Sequence, residues 1–515
     1  MSTELKLFVS DNLTFKDRFY LLMNILISNQ TNSRLDSMLF LGIFFLQIIT
    51  GFFSEQVGVF DTKKSKSDKI LNYLYQILRL KELFVGSYST YKYCIYIILG
   101  VVVVFTLYFI YVITKTSKLS FYTTSEELLN FYTKTYIYIG FNIILDLTIS
   151  NLCFENDDKN PNWPEASCKI SEILGVFIAS LILVIFSILF VIFIQFFYCD
   201  SLYLSTSFYA KISCNYEIYT SVNGIIYSVL LTLVKYVSKE FFLIYNLIAS
   251  IFFLQFFINR YLFYDNITNN TAGMFHTLYV WTSMFSLIFA YINVNEKGII
   301  YLASSAIVLY FYFNMKFKVE ENILLTTPFY QIKNQYYILY YIKNLIDKIN
   351  HFEESPEEKA LLTGIMQMHA IECPNPTCVS KLKTEIYLPL TNEWSDRTKP
   401  LITDKVYLMN FIILVMNFFI GHNYYSPNMV INMSLYFLEI IGNFCQAMFY
   451  YKKVKEMKLS LQEYFSFIRL ELKISQALVE KLKAENEACY SLEDLNVTMY
   501  FKYEDPNNKN RNTNK

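Results

Sequence analysis

From Ile173 to Cys199 the chain runs for twenty-seven residues without a charge or a proline, and with a single glutamine. At a rise of about 1.5 Å per residue, a helix of this length crosses a hydrocarbon core of about 30 Å with length to spare. Phe and Ile occupy every side of that helix, so no stripe is reserved for a water-soluble core. A buried core helix resembles this over about a dozen residues, not over the whole run. The segment predicts a membrane span, and the rest of the chain must accommodate one.

Composition supports the same class. Of 515 residues, 54% are hydrophobic and only 17% charged, against about 25% charged in soluble chains. Lys plus Arg and Asp plus Glu number 44 each. That balance, with no basic patch interleaved with aromatics, excludes nucleic acid as an expected partner. The 44 tyrosines and 47 phenylalanines suit spans and interfacial belts, although abundant Asn, Lys and Ile equally suggest a compositional bias. The nine cysteines show no paired framework of a small secreted domain. Cys94, Cys199 and Cys445 lie in apolar stretches as small hydrophobes. A mixed segment, residues 1–37, precedes the first long apolar run with no small-residue cleavage site, so no cleavable signal peptide is expected.

Eight spans are expected within a membrane domain at 38–317: 38–53, 93–114, 135–152, 173–199, 222–237, 241–263, 274–292 and 298–315. Between the first two lie the Lys-rich stretch Lys63 to Lys69 and an amphipathic helix candidate from Ile70 to Phe84. An even number of spans places both ends on one side. Lys316, Lys318, Lys333, Lys343 and Lys348 after the last span favour the cytoplasm for that side, whereas the basic first loop argues the other way. The sequons at Asn266 and Asn269 read as chance in an Asn-rich chain.

From residue 318 charges become frequent and no apolar run is long enough to cross a bilayer. Helices are expected at 320–350, 358–369, 405–421, 428–441, 443–457 and 461–485. Their short connections carry Gly, Pro, Asn or Ser, as an antiparallel helical array requires. A polar connector occupies 381–400, and the Asn- and Lys-rich tail at 506–515 is expected to be disordered. Gly442, Ala447 and Tyr451 match part of a tetratricopeptide unit, in which a small residue lets helices cross closely and an aromatic fills the groove. Such an array presents a concave face to a protein partner. The alternative is an ordinary helical bundle capping the membrane domain.

Few residues carry chemistry. His369, Cys373 and Cys378 have a spacing that lets the first two share a helix face, with Pro374 and Pro376 bending Cys378 back. A closed zinc site needs four N or S ligands, and Cys489 is the candidate fourth. A structural zinc is therefore one reading, and reduced, non-ligating thiols are the other. Asp146 lies inside the third expected span, where an ionisable group is a functional candidate by default. It could serve an ion path or pair with Lys134 or Lys235. Otherwise hydroxyls such as Thr148, Ser150 or a neighbouring tyrosine satisfy it. His276 reads as an interfacial polar residue. No P-loop, dinucleotide fingerprint, nucleophile elbow or kinase signature is present, and no enzyme is expected. A channel or transporter is the alternative function, although no matching pair of interrupted spans suggests an inverted repeat.

From Leu362 to about Asp505 the chain carries long motifs: MHAIECPNPTC, NYYSPNMVINMSLYFLEIIGNFCQAMFYYKKVKEMKLSLQEYFSFIRLELKISQALVEKLK and SLEDLNVTMYFKYED. These resemble the TmcB/TmcC-type family of protist multi-pass membrane proteins, whose repeat region is classed as tetratricopeptide-like. The membrane half resembles it more loosely, through RYLFYDN and LYVWTSMF. The resemblance implies an all-α protein: a polytopic membrane domain followed by a cytoplasmic tetratricopeptide-like region, 318–505. Larger relatives continue with sensory modules of the PAS type, which the residues up to Lys515 do not carry. The expected function is a non-enzymatic scaffold or signalling component.

Overall fold

The computed structural model describes residues 15–28, 34–60, 65–80, 87–115, 123–149, 170–197, 335–350, 355–372, 405–421 and 426–486. It also describes 200–332 apart from 206, 208–209, 212–213, 235–237, 261, 293 and 295. The chain divides into two compact units, Met1–Leu470 and Glu471–Lys515. Among the described residues all regular structure is helical, with a single isolated antiparallel bridge between Lys211 and Phe263.

The first unit opens with α1 (Phe15–Ser28), α2 (Arg34–Thr50), α3 (Lys66–Arg79) and α4 (Tyr88–Lys115). Next come α5 (Thr123–Thr135) and α6 (Phe141–Ile149), joined without interruption by a π turn at Tyr136–Gly140. There follow α7 (Ile170–Phe197), α8 (Asn215–Leu233), α9 (Lys239–Ile258), α10 (Asn266–Tyr291) and α11 (Lys297–Thr326). Local chemistry explains several starts. The Ser65, Ser238 and Asp265 side chains accept from Asp68, Phe241 and Thr268 backbone N–H groups, satisfying donors that the first turn leaves orphaned.

The C-terminal helices are α12 (Gln335–Asn350), α13 (Pro356–Glu372), α14 (Lys405–Gly421), α15 (Pro427–Leu435), α16 (Phe444–Lys455) and α17 (Leu461–Asn486). A π turn at Tyr436–Ile441 extends α15 to Gly442, which sits at φ 71°. That left-handed conformation is open to glycine without a Cβ penalty. The stretch 320–350, expected as one helix, is two. Pro328 separates them, because it lacks a donor and biases Thr327 toward extended backbone. A short 3₁₀ turn, Phe329–Gln331, bridges the gap.

The packing order follows the chain loosely. α10 lies between α9 and α11 and against α2; α6 lies against α7 and α8; α2 lies against α3. Aromatic side chains fill the contacts. Phe45 stacks on Phe275 at 5.5 Å, and Phe52 packs against Tyr227, Phe242 and Tyr279. α1 is drawn into the bundle beside α4 and α5, where Met23 and Leu26 are buried.

Among the described residues, three helical segments are long and apolar enough to cross a membrane: Tyr88–Lys115, Leu174–Phe197 and Lys239–Ile258. Only 28–33% of their most apolar stretches is buried within the protein, so Val104, Ile182 and Ile248 point outward. The polar side chains of the same bundle turn inward: Gln47, Asn142, Asn246, His276 and Thr282 are all buried.

Gly51, just after α2, marks a close approach. A Cβ there would overlap the Tyr227 hydroxyl, which donates to the Ile48 carbonyl at 2.7 Å. Gly51→Ala is expected to destabilise the protein by about 1–3 kcal/mol, the usual cost of overpacking. Thermal unfolding in detergent micelles measures it.

Candidate functional site

Asp146 sits on α6 with its carboxylate paired to the Arg79 guanidinium at the last residue of α3. Both side chains are withdrawn from solvent. This partner is distant in the chain and is not among those considered from the sequence. Of those candidates, Thr148 donates instead to the Ile144 and Leu145 carbonyls of its own helix, and Lys235 and Ser150 lie outside the described residues.

Arg79 is held from several directions. Its Nε donates to the Gln47 carbonyl at 2.9 Å, and its Nη1 reaches the Ser228 hydroxyl at 3.5 Å. The guanidinium carbon lies 5.1 Å from the Tyr227 ring centroid, in range of a cation–π contact. Gln47 extends the network: its amide donates to the Leu78 and Ile139 carbonyls, and its Oε1 accepts from Asn142 at 3.0 Å. Ile139 lies in the π turn, where the helical ladder is irregular. α2, α3, α6 and α8 thus meet at one buried polar node.

A second polar cluster lies on the irregular stretch between α7 and α8. The Asp200 carboxylate is paired with Arg469 of α17 and accepts from the Leu202 N–H at 3.1 Å. Arg469 Nε also donates to Asn24 of α1 at 2.9 Å. The Tyr203 hydroxyl donates to the Asn432 carbonyl of α15 at 3.0 Å, and Ser201 bonds Ser466. Lys211 pairs with Glu217 beneath the Phe263 ring. Backbone bonds from Lys211 to Asp200 and from Tyr264 to Ala210 tie the stretch to the turn before α10. Burial pushes the nearby Cys214 thiol up to about 12, helped by the Glu217 carboxylate. A thiol so protonated is a poor nucleophile at neutral pH.

The Asn269 sequon lies in the first turn of α10, against that segment. Its side chain is buried, donates to the Phe263 carbonyl and accepts from the Phe263 N–H at 3.0 Å. Its amide nitrogen is thus committed to the turn and turned away from solvent. His276, expected at an interface, is instead interior: it bonds the Tyr216 hydroxyl and packs against Phe45 and Phe257.

Of the four expected zinc ligands, His369 alone is described; Cys373, Cys378 and Cys489 lie outside the described residues. Among the described residues no group of three or more His, Cys, Asp or Glu side chains could hold a metal ion. His369 sits on α13 with its ring 5.0 Å from Phe329 and 5.2 Å from Phe411. Such a setting favours the neutral imidazole, and burial holds its pKa below the usual 6.5.

No protein-family model, curated protein or solved structure matches this chain.

Because the unfolded chain binds a proton at His369 more readily than the folded one, acid should loosen this contact. Its contribution is complete above pH 6.5 and is lost as the pH falls toward the lowered folded value. The slope cannot exceed about 1.4 kcal/mol per pH unit for one proton. Amide exchange across α13, with a zinc chelator present, is expected to rise between pH 7 and pH 5. A His369→Phe variant should show a flatter pH response.

Proposed function

We propose that this chain is an integral membrane protein of about eight spans, at 38–317, followed by a cytoplasmic tetratricopeptide-like region, 318–505, that binds other proteins. It works as a non-enzymatic scaffold or signalling component. One observation carries the membrane part: the bundle turns aliphatic side chains outward on α4, α7 and α9 and polar ones inward. In water this arrangement reverses the hydrophobic effect, at about 1.5–3 kcal/mol per large aliphatic side chain left exposed. In a bilayer the same arrangement is favourable, because interior polar groups bond one another and the exterior matches lipid tails.

The interaction region is supported by helix pairing. α12 packs on α13 and α14, α14 on α15, and α15 on α16. Ala447 is fully buried at the α15–α16 crossing, where its carbonyl accepts from Ser434 at 2.7 Å. Tyr451 stacks on Phe467 of α17 at 5.2 Å. A small residue at a crossing and an aromatic in the next groove are the parts a tetratricopeptide unit needs. The pairing of Asp146 by Arg79 favours a structural role for that carboxylate over an ion path, and so favours a scaffold over a channel.

Alkaline carbonate extraction of membranes from cells expressing the chain, with a tag placed after Lys515, tests the proposal. The protein is expected to remain in the pellet, and protease added to intact cells is expected to spare the tag. Release into the supernatant would contradict the membrane reading. Digestion of the tag in intact cells that carry the protein at their surface would contradict the orientation.

A further inference from the structure

α3 is amphipathic, but it is mounted the wrong way round for a protein in water. Asp68, Leu71, Asn72, Tyr75 and Arg79 are buried, at helical spacing along one face. Opposite them, Ile70, Tyr73, Leu74 and Ile77 are 68%, 58%, 39% and 48% exposed. The inward face has specific partners. The Asp68 carboxylate accepts from the Gly298 N–H at the start of α11 at 2.7 Å, and the Asn72 amide reaches Glu55 at 3.5 Å. Arg79 closes the far end on Asp146. Rotating the helix to hide its isoleucines would therefore expel a carboxylate and a guanidinium from bonds they already make.

We infer that the Ile70–Ile77 face of α3 is immersed in the lipid bilayer, and that α3 lies along the membrane surface between the spans α2 and α4. The inference rests on the membrane reading and adds a lipid-contacting element that does not cross. Two further observations choose lipid as the occupant. α3 packs beside α11, whose Ile299 and Leu302 are 54% and 52% exposed, so the apolar face continues the apolar exterior of the bundle. Lys66 and Lys69 are exposed in the first turn of α3, where long cationic side chains can reach the headgroups while the apolar residues sit below. α3 ends at Leu80 in a left-handed conformation, φ 54°, uncommon for a side chain of this kind. It turns the chain away directly after the Arg79 anchor.

The test is photo-crosslinking of the full chain in phosphatidylcholine vesicles carrying an alkyne-tagged phosphatidylcholine. p-Benzoylphenylalanine replaces Ile77, or in a second variant Tyr73. Ile182, on the outward face of α7, is the lipid-exposed control, and Tyr75 the interior one. The expected result is tagged-lipid adduct at Ile77 and Tyr73 in yields within a few-fold of Ile182, with a loss to background at Tyr75. Adduct at Ile182 with none at Ile77 and Tyr73 would overturn the inference while leaving the membrane reading intact. So would adducts at those two positions consisting only of a second copy of the chain. Absence of lipid adduct at Ile182 as well would remove the membrane reading, and this inference with it.

Discussion

The Arg79–Asp146 pair stands where four helices meet, and the interior of the bundle is organised around it. Each ion taken out of water costs several kcal/mol unless its partner and further hydrogen bonds compensate. The compensation is visible in the Gln47 carbonyl on Nε and the Tyr227 ring against the guanidinium. Because α3 donates Arg79 from its last turn, that single bond fixes which face of α3 turns inward. It therefore also fixes which face, carrying Ile70, Tyr73 and Ile77, is left outward. Tyr227 is tied to the Ile48 carbonyl beside the same node, and Gly51 leaves room for its hydroxyl.

The stretch between α7 and α8 does comparable work elsewhere in the first unit. Its backbone is irregular, so its polar groups need partners outside any helix. They find them on α15 and α17 and in the turn before α10. Asp200 meets Arg469, Tyr203 meets Asn432, and the backbone pairs Lys211 with Phe263. Two buried ion pairs, Asp200–Arg469 and Lys211–Glu217, sit on one short segment joining the apolar helices to the C-terminal ones.

Of the eight expected spans, 93–114, 173–199 and 241–263 coincide with helices long and apolar enough to cross a membrane among the described residues, because length and uniform hydrophobicity need no partner to interpret. The stop at Pro328 was legible in principle, since proline carries its own backbone penalty, although the flanking aromatic pattern concealed it. The partner of Asp146 was not legible. Arg79 lies 67 residues away, and periodicity within one helix says nothing about which helices meet. The amphipathic character of α3 could be read from its sequence, but its direction could not: an apolar stripe fits a protein core as well as a membrane. His276 was misplaced for a related reason. A histidine near the end of an apolar run resembles an interfacial residue until Tyr216, 60 positions away, is seen to bond it.

The central claim is that the Arg79–Asp146 pair is a structural keystone of an inward-polar bundle, and a double-mutant cycle on unfolding in detergent micelles tests it most directly. Arg79→Met and Asp146→Leu each leave one buried charge alone and should each destabilise by about 3–5 kcal/mol. The double variant removes both charges and should cost less than either single change. A double variant as destabilised as the sum of the two singles would mean that the residues do not act as a pair, and would contradict the account.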